Sequence, residues 1–208
     1  MIKGIIYDLD DLMVNSIGLH EQAWDTLLKS YNHEISDIPA SFRSKFVGMR
    51  IIDIIKEIMT YLQLDADLQT IYQKRGKIFI KLVEEKLEML PGLIESLNLF
   101  KNNGLKIALA SSGTKEYINL VLEKFSLQKY FDIIITGDDV KLGKPDPETY
   151  LVACQKLNLT PNQCLVLEDA TNGIKAAKTA GCKCLAIKNP YTPPQDLTNA
   201  DAVLNSLL

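Results

Sequence analysis

Gly4-Ile5-Ile6-Tyr7-Asp8-Leu9-Asp10 places two aspartates directly after a short apolar run. The run from Ile2 to Tyr7 reads as a buried strand, because a few consecutive apolar residues bounded by polar ones suit a sheet covered on both faces. Side chains alternate along a strand, so residues two apart point the same way. Asp8 and Asp10 would then meet at the carboxyl end of a strand, the edge at which open α/β sheets bind ligands. Two carboxylates that close repel unless a cation or a shared proton intervenes. The pair therefore points to Mg²⁺, to acid/base work, or to both, although aspartate is also common in ordinary turns.

Working outward, further apolar runs predict strands at Lys106 to Ala110, Ile133 to Thr136, Cys164 to Leu167, Cys184 to Ile187 and Ala202 to Leu204. Helical stripes alternate with them: Leu93, Leu97, Phe100; then Tyr117, Ile118, Val121, Leu122, Phe125; then Tyr150, Leu151, Cys154, Leu157; then Ile174, Ala177, Ala180. Alternating strands and helices predict an α/β fold, a parallel sheet with helices on both faces. Residues from about Ile17 to Lys86 break the rhythm with helical periodicity alone, in stripes such as Leu19, Ala23, Leu27, Tyr31 and Ile51, Ile55, Ile58, Leu62. That is too long for a simple crossover. It predicts an inserted helical subdomain over residues 16–87, with the core formed by 1–15 and 88–208. Its hinges fall near Val14–Ile17 and near Glu88–Pro91.

Three more polar features follow predicted strands. Ser111-Ser112-Gly113-Thr114 closes the strand ending at Ala110; its hydroxyls and free N–H groups suit a phosphate oxygen, and equally a helix N-cap. In Gly143-Lys144-Pro145-Asp146-Pro147, Pro147 predicts a helix start at its first position and Pro145 holds Lys144 extended, able to place its ammonium against a phosphate and Asp8. Glu168-Asp169 offers hard oxygen ligands for Mg²⁺, or acids favoured at a helix N-terminus.

Taken in order, Asp8-Leu9-Asp10, Ser111, Lys144 and Glu168-Asp169 resemble the four motifs of the haloacid dehalogenase superfamily, and the insert resembles the cap of its β-phosphoglucomutase-like branch. The resemblance covers essentially the whole chain. It implies a Rossmann-like core with an α-helical cap, and a Mg²⁺-dependent phosphatase acting on a small phosphorylated metabolite, a sugar phosphate. Asp8 would be the nucleophile and Asp10 the acid/base. Ser111, Ser112 and Lys144 would bind phosphate. Asp8, the Asp10 carbonyl and Asp169 would hold the metal, with Glu168 behind them. On the cap, the resemblance points to His20, Arg50 and Arg75 as substrate contacts. A β-phosphoglucomutase is the alternative, although the lysine that mutases carry after the serine is absent from Ser112-Gly113-Thr114. A non-catalytic phosphate-binding module is a third reading. Two departures stand out: Asp11 where the family has glycine, and Asn15 where it has aspartate. Asp11 there implies strain or a left-handed backbone.

The chain has 208 residues, 47% hydrophobic and 24% charged, enough for one large domain with an insertion. A net charge of −3 gives no basis for nucleic-acid or anionic-membrane binding. No apolar run approaches a membrane span and no signal-peptide pattern is present, so a cytoplasmic location and a monomer are the expectations. Cys154, Cys164, Cys182 and Cys184 form no Cys-x-x-Cys and read as reduced, buried thiols rather than a zinc site.

Overall fold

β1 (Gly4–Tyr7) lies inside a six-stranded sheet of order β3-β2-β1-β4-β5-β6 in a computed structural model describing residues 1–208. The other strands are β2 (Lys106–Ala110), β3 (Ile133–Ile135), β4 (Cys164–Glu168), β5 (Lys183–Ile187) and β6 (Ala202–Leu204). All pairings are parallel. The order reverses at β1, so the crevice outside its carboxyl end is a topological switch point. Tyr7 is level with Leu109 on β2 and Leu167 on β4. Asp8, Ala110-Ser111 and Glu168-Asp169 therefore leave the sheet along one edge.

The period of two divides the sheet residues between two cores. Ile5, Tyr7, Ile107 and Leu109 pack with Leu93 and Leu97 of α5 (Leu93–Asn102) and Tyr117, Ile118 and Val121 of α6 (Lys115–Lys124). Ile6, Ala108, Val166 and Cys184 face the other way, against Tyr150 and Cys154 of α7 (Glu148–Lys156) and Ile174 and Ala177 of α8 (Thr171–Ala180). All four cysteines are free and lie in this second core.

Between β1 and β2 come α1 (Ile17–Lys29), α2 (Ala40–Arg43), α3 (Ile51–Leu62) and α4 (Leu68–Lys86). They enclose a core of their own from Trp24, Leu27, Leu28, Ile38, Ile55, Ile58 and Ile71. The chain enters and leaves this insert as a narrow antiparallel ribbon. Val14 bridges Met89, Asn15 N–H donates to Glu88 O (2.9 Å), and Leu90 N–H donates to Met13 O (2.9 Å). The α2–α3 connection reaches back to the sheet edge. Asn172 Nδ2 donates to Lys45 O (3.0 Å) and Val47 O (2.9 Å), and Ser112 Oγ to Gly48 O (2.7 Å).

Some boundaries differ from the sequence pattern. Tyr31 lies past the end of α1, where the backbone N–H groups of Ser30 and Tyr31 donate to Leu27 O and Leu28 O in three-residue turns that close the helix. Pro147 is the residue before α7 rather than its first, with Asp146 Oδ1 accepting from Glu148 N–H (2.9 Å). The Lys144–Pro145 peptide is cis. Thr136 leaves β3 because its hydroxyl and backbone close a capping box with Asp139. No helix is long and apolar enough to cross a membrane.

Ile55 is fully buried at the centre of the insert's core. Ile55→Ala is expected to cost about 2–5 kcal/mol. Because that core is separate, hydrogen exchange should accelerate in α1, α3 and α4 while the sheet amides keep their protection.

Candidate active site

Asp8, the first residue past β1, is buried, and its Oδ1 accepts from Lys144 Nζ at 2.5 Å. The same ammonium donates to Glu168 Oε1 (2.7 Å) and to Ala110 O (3.3 Å), and lies 4.8 Å from the Tyr150 ring centre. Glu168 has both oxygens occupied: Oε1 also accepts from Tyr150 OH (2.7 Å), and Oε2 from the N–H groups of Asp169 and Ala170 (3.0 Å each). Glu168 therefore orients Lys144 and the turn into α8 and has no oxygen to spare. Gly173 makes room for it: a Cβ there would sit 1.6 Å from Glu168 Oε1. Burial alone would depress the lysine, but Asp8 and Glu168 outweigh it and hold Lys144 above its ordinary value, fully charged.

Asp169 is buried, and its Oδ2 has no hydrogen-bond partner. An unpaired buried carboxylate oxygen costs free energy. Oxygens of Asp8, Glu168 and Asp169 lie within 4.8 Å of one another. Burial, then mutual repulsion, pushes Asp8 and Asp169 well above the usual carboxylate range even with Lys144 adjacent. One ammonium does not balance three carboxylates. A hard divalent cation on Asp8 and Asp169 fits both the orphaned oxygen and the charge excess.

Asp10 is organised differently. Its Oδ1 accepts from Ser16 Oγ and Tyr117 OH at 2.6 Å each, and His20 Nε2 lies 3.7 Å away. Burial raises its proton affinity, but these contacts outweigh burial and keep Asp10 below the ordinary range. His20 stacks on Phe79 (4.1 Å between ring centres), and its Nδ1 accepts from Arg75 Nη2 at 2.5 Å. Burial and then Arg75 hold His20 below its ordinary value. Accepting at Nδ1 leaves the neutral ring's proton on Nε2, toward Asp10. Arg75 is itself buried, with burial lowering its affinity for the proton to about 9.

Asp11 has φ +61°, the left-handed conformation that glycine adopts most readily and aspartate tolerates. Its carboxylate is turned to the start of α1, where Oδ1 accepts from the N–H groups of Ser16 and Ile17 at 3.0 Å each. Ser16 precedes α1 without capping it through its side chain, and its hydroxyl donates to Asp10. Asp11 supplies the missing cap from across the turn. Asn189 Nδ2 donates to Asp11 O (2.7 Å) and fixes the turn from β5's side. Burial and the Asp10 charge raise Asp11 to about 7.

Ser111 is buried, and its Oγ accepts from Gly113 N–H (3.0 Å), which leaves its own hydrogen free. Ser112 differs from the expectation of a phosphate contact, because its hydroxyl is spent on Gly48 O across to the insert. Arg50 is likewise not brought to the carboxylates. Its guanidinium is forked onto Asp53 (2.8 and 3.3 Å) and donates to Val140 O (3.1 Å), so it ties the insert to the loop after β3. His20 and Arg75, with Asp8, Asp10 and Asp169, border a cavity of about 630 Å³ between the insert and the sheet edge. Tyr117, Ser16 and Tyr150 are site residues that the pattern did not single out. Both tyrosines read as members of apolar helical stripes, and nothing in a stripe says where a hydroxyl tip ends.

Two substitutions test this geometry. Gly173→Ala should drive a methyl into Glu168, lowering urea stability by about 1–3 kcal/mol or more, as overpacking does. Asp11→Asn should melt within a few degrees of the parent. Asp11→Gly, which keeps the turn but removes the acceptor, should lose about 1 kcal/mol, the usual worth of a helix cap.

A family model described as haloacid dehalogenase-like hydrolase matches residues 5–187. The chain is 28% identical to the phosphorylated carbohydrates phosphatase of Thermotoga maritima, over 99% of this chain and 91% of that protein. It is 30% identical to hexitol phosphatase B of Escherichia coli strain K12, over 99% and 93%. The crystal structure of β-phosphoglucomutase from Clostridium difficile superposes with a TM-score of 0.87 at 26% identity, covering 100% of this chain and 92% of that one. With the strand-end carboxylates, lysine and insert in the order described, the chain belongs to the haloacid dehalogenase-like hydrolase family.

Proposed function

We propose that the protein is a Mg²⁺-dependent phosphatase of a small phosphorylated carbohydrate, acting through an aspartyl-phosphate on Asp8. The observation that carries this reading is the Asp8 carboxylate, fixed at a switch-point strand end by Lys144 and bordering the cavity beside the orphaned Asp169 oxygen. Similarity to proteins named for phosphatase action on phosphorylated carbohydrates and hexitols supports the substrate class.

In the first half-reaction an Asp8 oxygen attacks phosphorus in line, and the bond to the leaving oxygen breaks. Asp10 delivers a proton to that oxygen. At rest Asp10 is held ionised, but an arriving phosphate adds negative charge nearby and raises its proton affinity. In the second half-reaction Asp10 takes the proton from a water that attacks phosphorus, releasing inorganic phosphate and restoring Asp8. Tyr117 and Ser16 hold Asp10 in place for both transfers. Lys144 and the Ser111 hydroxyl bind the non-bridging oxygens, and Glu168 keeps Lys144 aimed. Asp8, Asp169 and the Asp10 carbonyl would hold a Mg²⁺, which would neutralise charge on the transferring group. The insert excludes water by docking through Gly48, Val47 and Arg50.

Asp8→Asn should lower phosphate release from sugar and hexitol phosphates by at least ~10³-fold, the scale on which loss of a nucleophile is felt. Chelation should abolish release, and added Mg²⁺ should restore it. Retained turnover by Asp8→Asn would overturn the assignment. Conversion of β-glucose 1-phosphate to glucose 6-phosphate without phosphate release would favour mutase chemistry instead.

A further inference from the structure

The insert's side of the cavity is short of hydrogen-bonding groups. Phe46, Val47, Met49, Ile51, Ile54 and Tyr72 border it, and each is only partly buried by its own packing. The polar side chains that the insert contributes are otherwise engaged or at the mouth. Arg43 is paired with Glu21 (3.0 Å), and His20 with Arg75. Gln73, Lys77, Lys81 and Glu84 are solvent-exposed. One buried donor is left over, Arg75 Nε. The segment carrying Phe46, Val47 and Met49 is docked on the core, because Lys45, Val47 and Gly48 accept hydrogen bonds from it.

A bare hexitol phosphate would bury several hydroxyls against this wall, where Arg75 Nε, the Trp24 indole N–H and the Tyr72 hydroxyl are the unpaired donors and Phe46, Val47, Met49, Ile51 and Ile54 offer none. Each hydroxyl buried without a partner costs on the order of 1–3 kcal/mol. An apolar or aromatic group would lose nothing there and would gain from burial. The volume of about 630 Å³ is in the range of sites that enclose drug-sized ligands. Resting on the phosphatase reading and deepening it, we propose that the preferred substrate is a phosphorylated sugar or polyol bearing a hydrophobic or aromatic moiety. The phosphate sits at Asp8, the short polyol spans the His20–Arg75 region, and the apolar moiety packs on Val47, Met49, Ile54 and Tyr72.

Matched pairs test the moiety alone: ribitol 5-phosphate against riboflavin 5′-phosphate, and ribose 5-phosphate against uridine 5′-monophosphate. The ring-bearing member of at least one pair should show a kcat/KM about 10- to 100-fold higher, the range in which apolar pockets discriminate, with most of the gain in KM. Val47→Thr combined with Met49→Gln should shrink that ratio at least about fivefold, a readout independent of how much of the variant folds. A ratio near one or below in both pairs, or an advantage that the double substitution leaves intact, overturns the inference while phosphate release from the bare compounds keeps the phosphatase reading. No release from any of the four overturns both.

Discussion

The Lys144 ammonium, buried between Asp8 and Glu168, is the constraint on which the rest of the site depends. Burying one cation is costly, and the cost is offset only by close, fully hydrogen-bonded anions. Glu168 meets that requirement with four accepted hydrogen bonds. In doing so it joins the end of β4, the Gly143–Pro147 loop and the start of α8 into one unit, and Gly173 has no side chain because that space belongs to Glu168. The remaining share of Lys144 falls on Asp8. What is left over is negative: Asp169 has an oxygen with no partner, and its proton affinity is raised with that of Asp8. The strand-end cluster thus carries more negative charge than Lys144 alone offsets.

The two aspartates of Asp8-Leu9-Asp10 face different partners as a result. Asp8 answers to the sheet, through a lysine that arrives 136 residues later. Asp10 answers to the insert and to α6, through Ser16, His20 and Tyr117. Asp11 adds a mechanical link. By capping α1 it couples the turn after β1 to the helix that carries His20 and Trp24. With its left-handed backbone, Asp11 serves the turn and the start of α1 at once.

Much of this was legible in the residues. Short apolar runs separated by helical stripes read as a parallel sheet because burial on both faces demands it, and the seventy-residue helical interruption could not be a crossover. The placement of Asp8 and Asp169 at the sheet edge was legible because each sits just past an apolar run. What a pattern does not show is where side-chain hydrogen bonds go. Ser112 and Arg50 are the right residue types near the right place, but a hydroxyl or guanidinium takes the first good partner within reach. Here those partners are Gly48 O, and Asp53 with Val140 O. Tyr117 and Tyr150 were hidden for the opposite reason, since their rings satisfy an apolar stripe while their hydroxyls serve the site.

By itself the sequence determined the class of fold, the order of the strand-end motifs and the excess of carboxylates over cations, because these depend on local periodicity and on counting charges. Only the tertiary structure decided the partners. It assigned Lys144 to both Asp8 and Glu168, turned Asp11 toward α1, and brought Phe46, Val47 and Met49 of the insert to the cavity. Those outcomes depend on distances between residues far apart in the chain, and a hydrogen bond, unlike a hydrophobic face, exists only where both ends arrive within about 3 Å.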